Sequence, residues 1–165
     1  MNKADAPLDI IAAMQLALKF YQRGELKRSV PICEQILGID PDNTNALHLL
    51  GLIAHQMGKN EAAARLIEKA IGINNAVFSY HNTAGNIYRA LNKPHVATAC
   101  YNRAILLKPD YHEAHNNLGV ALLEQGEVEE AVTCFHLALA LKSDFHEAHN
   151  NLGNALKNRG SWMKQ

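Results

Sequence analysis

The chain has 165 residues, of which 48% are hydrophobic, and its 16 basic and 16 acidic side chains give a formal charge of zero. This hydrophobic fraction excludes an intrinsically disordered chain, and a pI near 7.1 argues against a nucleic-acid partner, which requires a basic surface. No apolar stretch is long enough to cross a bilayer, and three cysteines, an odd number, fit a reducing compartment, so we expect a cytoplasmic protein without a membrane partner.

Small and bulky residues recur every 34 positions along the chain. Several columns share this interval, which predicts a repeat array. The columns are Ala17, Gly51, Gly85, Gly119 and Gly153; Ala63, Ala97 and Ala131; Ala70, Ala104 and Ala138; and the bulky Ile67, Tyr101 and Phe135.

Each repeat is predicted to contain two antiparallel helices. In the fourth repeat, apolar residues at three- and four-residue steps run from Ala114 to Leu122, and a second such stripe runs from Val128 to Ala138. Gly126 lies between them, and glycine accepts the left-handed conformation that ends a helix. The corresponding turn residues in the other repeats are Gly24, Gly58, Asn92 and Gly160.

Four full repeats and one partial repeat follow from these columns, at residues 10–43, 44–77, 78–111, 112–145 and 146–165. Pro31 falls inside the second helix of the first repeat, where it removes a hydrogen bond, so we expect a kink or a late-starting helix there. Pro94 falls at the start of a second helix, where proline is tolerated.

The columns resemble the tetratricopeptide repeat (TPR). The resemblance implies an all-α fold, a right-handed α-solenoid of helix-turn-helix repeats, with residues 1–165 as a single domain and first helices lining a concave groove. Segments such as ALHLLGLIAHQMG and KPDYHEAHNNLG are also similar to the repeat arm of O-linked N-acetylglucosamine transferases, notably the bacterial SPINDLY-type proteins.

The stretch HEAHNNLG occurs twice, at 112–119 and 146–153, and it looks like an incomplete zinc-protease motif. In that motif two histidines lie four residues apart, whereas here the spacing is three. Because the two copies are offset by one repeat, we interpret the stretch as repeat sequence and expect no metal ion and no cofactor. The shared histidine column should consist of hydrogen-bonded rings that pack between helices, at His81, His115 and His149.

The inward positions of the first helices change from apolar in the first two repeats to amide-rich in the last three. Met14, Leu18, Leu49 and Leu52 represent the apolar end. The candidate peptide-binding residues at the other end are Asn82, Asn86, Arg89, Asn116, Asn117, Val120, Asn150, Asn151 and Asn154.

An asparagine side chain offers a donor and an acceptor, the pair that a peptide unit needs. The resemblance to the transferase arms implies a ladder of such residues, which Asn117 and Asn151 match and Thr83 matches less well. Asparagine is also a poor helix former, which favours a binding role over simple solvation.

The sequence therefore predicts a protein-interaction scaffold that binds an extended peptide or a partner helix. The alternative is a substrate-recruiting arm of a glycosyltransferase similar to the O-linked N-acetylglucosamine transferases. We do not expect an enzyme, because no catalytic domain follows the repeats and because Cys33, Cys100 and Cys134 lie in mid-helix positions that do not activate a thiol.

The last repeat is expected to turn at Gly160 and to begin a second helix near Trp162. Leu152, Leu156 and Trp162 then form an incomplete core, since a terminal repeat normally has a polar outer face. We expect either a longer protein or a homo-oligomer that covers this edge.

Overall fold

The computed structural model describes the backbone of residues 9–162 and the side chains of residues 9–157. Nine α-helices lie in this part of the chain. They are α1 (Ile10–Gln22), α2 (Leu26–Ile39), α3 (Thr44–Gln56), α4 (Asn60–Ile73), α5 (Phe78–Ala90), α6 (Pro94–Leu107), α7 (His112–Glu124), α8 (Val128–Leu141) and α9 (His146–Trp162). The all-α prediction is confirmed, and each first helix begins at the residue where the sequence places the start of a repeat.

The chain divides into two compact units, Met1–Asn75 and Ala76–Gln165, called unit 1 and unit 2 below. Unit 1 contains α1–α4, and unit 2 contains α5–α9. Within each unit, every helix packs against the next along the sequence, and successive first helices also contact each other. That residues 1–165 act as one domain stays a prediction.

Local side chains and backbone angles explain where the helices begin and turn. The carboxylate of Asp9 accepts hydrogen bonds from the amides of Ile11 (3.0 Å) and Ala12 (3.1 Å), which satisfies donors that the first turn of α1 leaves unpaired. The predicted turn residues have positive φ in four repeats, at Gly24 (74°), Gly58 (74°), Gly126 (82°) and Asn92 (57°). Glycine and asparagine tolerate this conformation better than other residues do.

Each unit has a core made from the repeat columns. In unit 1, the buried residues Ala17, Cys33 and Ile36 of the first repeat pack with Ala46 and Ile53 of the second. In unit 2, the fully buried rings of Tyr101 and Phe135 occupy the same column as Cys33.

The glycine column allows these rings to contact the first-helix backbone. A Cβ atom on Gly85 would lie 2.6 Å from Cδ1 of Tyr101, and a Cβ atom on Gly119 would lie 2.6 Å from Cε1 of Phe135. Gly51 faces Ile67 without a ring, and a Cβ atom there would make only ordinary contacts of 3.6 Å or more. A Cβ atom on Gly153 would meet nothing within 4 Å. The glycine is therefore required only where an aromatic ring covers it.

The two prolines behave differently from each other. Pro94 is the first residue of α6, as predicted. Pro31 lies inside α2, which begins at Leu26, one repeat before the start of α4 and two repeats before the start of α6. The prediction of a late-starting helix was therefore wrong, and the alternative, a kink, stays a prediction. Pro31 is exposed, and the apolar contacts of α2 with the unit 1 core keep the helix in register despite the missing hydrogen bond.

The predicted turn at Gly160 was also wrong, because α9 continues as a helix to Trp162. In the preceding repeats a second helix stabilises the turn by burying apolar side chains against the first. No such helix follows α9 in the described part of the chain, so continued helical hydrogen bonding is the better outcome for the backbone. The side chain of Trp162 lies outside the described residues.

The substitutions Gly119→Ala and Gly153→Ala should change stability in opposite directions. Gly119→Ala forces the buried Phe135 ring to move, which we expect to cost about 1–3 kcal/mol, only partly offset by the helix preference of alanine. Gly153→Ala has space for its methyl group and should stabilise α9 by up to about 1 kcal/mol. Urea unfolding followed by circular dichroism measures both; effects of the same sign would contradict the packing argument.

Candidate functional site

Asparagine side chains join neighbouring first helices in unit 2. The side-chain nitrogen of Asn117 on α7 donates to the side-chain oxygen of Asn82 on α5 at 3.1 Å. One repeat later, Asn151 on α9 donates to Asn116 on α7 at 2.9 Å. Each bond links residues that are 35 positions apart, one more than the repeat period. These two contacts are called the asparagine pairs below.

The acceptor of each pair is fixed by a second hydrogen bond. Asn82 is 8% exposed, and its nitrogen donates to the hydroxyl of Tyr111 at 3.4 Å. Asn116 is 1% exposed, and its nitrogen donates to a carboxylate oxygen of Glu147 at 3.3 Å. Burial and two partners hold these amides in one orientation, so Asn82 and Asn116 support the pairs from below the surface.

The donors of the pairs keep unused hydrogen-bonding capacity. Asn117 and Asn151 are half-buried, and each uses one N–H in its pair. An amide side chain has two N–H donors and a carbonyl acceptor. The carbonyl oxygen of each residue accepts no hydrogen bond from a described residue and is not fully buried, and the second N–H of each donates to no described residue.

The other predicted groove residues have different environments. Asn86 accepts a hydrogen bond from the hydroxyl of Tyr101 at 2.7 Å, within its own repeat. Arg89 lies 3.5 Å from Glu124 in an ion pair, and Val120 is half-buried against the unit 2 core. Asn150 and Asn154 are exposed on α9. The structure thus brings together Asn82, Asn116, Asn117 and Asn151 and leaves the remaining candidates outside the asparagine pairs.

Sequence comparison identifies the family of the repeats. One family model, described as a TPR repeat, matches residues 85–126 and 121–160, and a second, described as a tetratricopeptide repeat, matches residues 44–77. Together these matches cover more than half of the chain. The chain belongs to the tetratricopeptide-repeat family. No curated protein matches the sequence at a significant level.

Solved TPR structures have the same fold. The MamA protein has a TM-score of 0.78 and 21% sequence identity, over 92% of this chain and 82% of that chain. A mutant O-GlcNAc transferase of Thermobaculum terrenum has a TM-score of 0.78 and 31% identity, over 85% of this chain and 27% of that chain. The first TPR of Spaghetti (RPAP3), bound to an HSP90 peptide, has a TM-score of 0.69 and 23% identity, over 71% of this chain and 93% of that chain. This protein is therefore an all-α TPR solenoid.

Histidines of the repeated column form hydrogen bonds to the backbone of the preceding loop. His115 is buried, and its Nε2 donates to the carbonyl oxygen of Pro109 at 2.9 Å. His149 makes the same bond to the carbonyl oxygen of Ser143 at 2.9 Å. Both rings have the predicted hydrogen bond, which ties a first helix to the loop before it. The predicted packing between helices is found for the buried His115 but not for His149, which is exposed. Among the described residues, no group of three or more histidine, cysteine or acidic side chains could hold a metal ion.

Two of the three thiols, those of Cys33 and Cys134, are buried in environments that oppose reactivity. Burial raises the pKa of Cys33 to about 11, and burial also raises the pKa of Cys134 to about 11. A thiol with a raised pKa is a poor nucleophile at neutral pH because little thiolate is present.

Among the described residues, no helix is both long and apolar enough to cross a membrane.

Unit 1 has a different kind of surface between its first helices. A cavity of about 320 Å³ is lined by Met14, Gln15, Leu18, Asn45, His48, Leu49 and Leu52. These are the positions that the sequence places at the apolar end of the groove. Burial lowers the pKa of His48 to about 4, so the ring is neutral at pH 7 and the cavity lining has no formal charge.

The sequence did not reveal the hydrogen bonds within the asparagine pairs. It placed Asn82, Asn116, Asn117 and Asn151 on one surface but treated the ladder residues as free side chains. The available signal was a 35-residue spacing between asparagines, which separates Asn82 from Asn117 and Asn116 from Asn151.

His48 should make the protein less stable in acid. The folded state disfavours the charged ring, whereas the unfolded chain binds a proton near the ordinary pKa of 6.5. Stability should therefore fall as the pH decreases from about 6.5 to 4, by roughly 3 kcal/mol in total. Urea unfolding at a series of pH values measures this change.

The variant His48→Leu should lose this part of the pH dependence, whereas His136→Gln, a change at an exposed ring, should keep it. Equal pH dependence in the wild type and His48→Leu would contradict the assignment to His48.

Proposed function

We propose that this TPR protein is a non-enzymatic interaction scaffold that binds an extended peptide along the asparagine pairs of unit 2. TPRs are a typical fold of protein-interaction scaffolds, and the Spaghetti TPR, a structural neighbour, is bound to a peptide. The observation that carries the proposal is that the asparagine pairs orient Asn117 and Asn151, each of which keeps one N–H and its carbonyl oxygen without a partner in the described part of the chain.

Backbone recognition follows from the chemistry of these two residues. A peptide unit presents one N–H and one carbonyl, which are complementary to the free carbonyl and N–H of an asparagine amide. Because Asn82 and Asn116 already orient the amides, the scaffold loses little side-chain entropy when a peptide binds. Contacts to the peptide backbone do not depend on the peptide side chains, so we expect these positions to accept many peptide sequences.

Removing both ladder amides should weaken peptide binding without unfolding the protein. A ligand selected from a random peptide library provides the probe, and its affinity is measured by calorimetry for the wild type and for the double variant Asn117→Ala/Asn151→Ala. We expect a loss of about 1 kcal/mol for each hydrogen bond removed. The higher helix preference of alanine offsets the lost bonds to Asn82 and Asn116, so the helical content should stay the same.

The matched control is Asn102→Ala, which removes an exposed amide from α6 without touching the asparagine pairs or the other predicted groove residues. N-methylation of single peptide bonds in the ligand should reduce affinity more than alanine substitution of its side chains. Unchanged binding by Asn117→Ala/Asn151→Ala would show that these amides only solvate the surface.

A substrate-recruiting arm of a glycosyltransferase is the second candidate function. The 31% identity to the Thermobaculum terrenum O-GlcNAc transferase favours it, since this chain aligns over 85% of its own length. The chain spans 27% of that protein, so transferase activity would require a separate catalytic domain or subunit. A downstream reading frame that encodes a sugar-nucleotide transferase, together with co-purification of its product, would distinguish this function from that of an independent scaffold.

We also propose that a second copy of the chain covers the C-terminal edge that the sequence predicts for Leu152, Leu156 and Trp162, of which the structure describes the side chains of Leu152 and Leu156. Leu156 is 38% exposed, whereas its counterpart Leu122, one repeat earlier, is 8% exposed. Gly153, the counterpart of the ring-covered Gly119, has open space around it. Burial of this apolar surface against a second copy would be favourable, because it removes apolar area from water.

Light scattering at several protein concentrations should detect a dimer whose population rises with concentration. Leu156→Gln should shift the population to monomers, while Asn154→Gln, a polar change on the same helix, should not. A monomer at all concentrations up to the millimolar range would refute the proposal.

A cytoplasmic location is proposed as well, supported by three free cysteines, which suit a reducing compartment.

A further inference from the structure

A larger cavity lies elsewhere in unit 1, between the first two repeats. Its volume is about 690 Å³, within the usual range for ligand pockets. It is called the seam cavity below, and its lining consists of Gly24, Glu25, Leu26, Lys27, Arg28, Val30, Pro31 and Met57. Met57 is 52% exposed, an unusual position for a flexible apolar side chain that could pack in a core. The seam cavity is therefore open to solvent and mainly apolar.

At the same place in unit 2, a polar bridge joins neighbouring repeats. Gln125 donates to the hydroxyl of Thr98 at 2.8 Å and to the carbonyl of Ala121 at 2.9 Å. Thr98 and Gln125 are 27 residues apart, and so are Val30 and Met57, which lie two repeats (68 residues) earlier. Unit 1 thus has two apolar side chains where unit 2 has a hydrogen-bonded pair. Neither Val30 nor Met57 can form the bond that links the repeats in unit 2.

Pro31 belongs to the apolar part of this lining. It lies inside α2 and has no N–H to donate to the carbonyl of Lys27, four residues earlier. Both residues line the seam cavity.

The charges along the seam cavity favour an acidic partner. Glu25 and Arg28 neutralise each other, with 2.6 Å between their side-chain atoms, and Arg28 also stacks on the ring of Phe20 at 3.9 Å. Lys27 is exposed and forms no ion pair with any described residue. The seam cavity therefore has one unneutralised positive charge beside its apolar lining.

We propose that the seam cavity binds a large apolar side chain of a partner peptide that carries carboxylates beside that side chain. The apolar side chain packs against Val30, Pro31 and Met57, and a flanking carboxylate pairs with Lys27. Methionine suits such a role because its unbranched, polarizable side chain adapts to different partners. This surface is separate from the asparagine pairs of unit 2, so its test does not depend on the proposed function.

The NMR signals of the methionine methyl groups report peptide binding at the seam cavity directly. The chain has four methionines; Met57 lines the seam cavity, and Met14 lines the smaller cavity between α1 and α3. The protein, labelled with ¹³C at the methionine methyl groups, is titrated with three synthetic peptides: one phenylalanine between glutamates, the same phenylalanine between lysines, and serine between glutamates. The first peptide should shift the Met57 resonance and leave Met14 unchanged.

The lysine peptide should bind about threefold or more weakly, with the difference lost at high salt, and the serine peptide should produce no shift. Lys27→Gln should remove the preference for glutamate while keeping the Met57 shift. The double variant Val30→Thr/Met57→Gln, which copies the polar bridge of unit 2, should abolish binding measured by fluorescence anisotropy while retaining its helical content. Thr98→Val/Gln125→Met, the reverse exchange, should leave the binding at Met57 unchanged.

Three results would overturn the proposal. The first is an absence of any Met57 shift with the glutamate peptide. The second is a shift at Met14 instead of Met57, which would assign binding to the other cavity. The third is a concentration-dependent Met57 shift without peptide, which would identify a second copy of the chain as the occupant.

Discussion

The contact between an aromatic ring and a glycine determines how closely the two helices of a repeat approach each other. Tyr101 and Phe135 lie directly on the backbone at Gly85 and Gly119, where even one methyl group would overlap with the ring. Ring and glycine are 16 residues apart in both repeats, so the length of the turn between the helices is fixed by the same contact. Where Ile67 replaces the ring, the space at Gly51 is larger and the constraint is relaxed.

Close packing within each repeat also brings successive first helices into register. In unit 2, α5 contacts α7 and α7 contacts α9, and the asparagine pairs lie along these contacts. The buried member of each pair donates one hydrogen bond and accepts another, as is usual for a buried polar side chain. The half-buried member shares its amide between protein and solvent. The chemistry available to a ligand thus depends on a scaffold that the ligand never touches.

Much of this fold could be predicted from the sequence, because the repeat columns report packing directly. The period located the first helices, and the turn residues Gly24, Gly58, Asn92 and Gly126 located the ends of four of them. Gly160 belongs to the same column but lies within a helix, since a turn also needs a partner helix to stabilise it. At Pro31 the sequence predicted a disturbed helix, yet α2 continues through this residue. The tertiary packing of α2 outweighs the local preference of proline against the interior of a helix.

The site was less accessible to sequence reasoning than the fold. Column positions identify which residues share a surface, and they placed Asn82, Asn116, Asn117 and Asn151 together. They do not identify which amides bond to each other, because that depends on side-chain rotamers and on a one-residue shift between neighbouring helices. The seam cavity was missed because it arises from a difference between repeats, in which Val30 and Met57 replace the polar residues found in unit 2.

All helix pairs in contact lie next to each other or two apart along the described chain. Such short-range topology lowers the entropic cost of loop closure, so folding can begin in any repeat and spread to its neighbours. It also means that recombination of the gene can add or remove a 34-residue segment without rebuilding a distant contact. Repeat-specific features such as the asparagine pairs and the seam cavity can therefore be gained, lost or multiplied as modules during evolution.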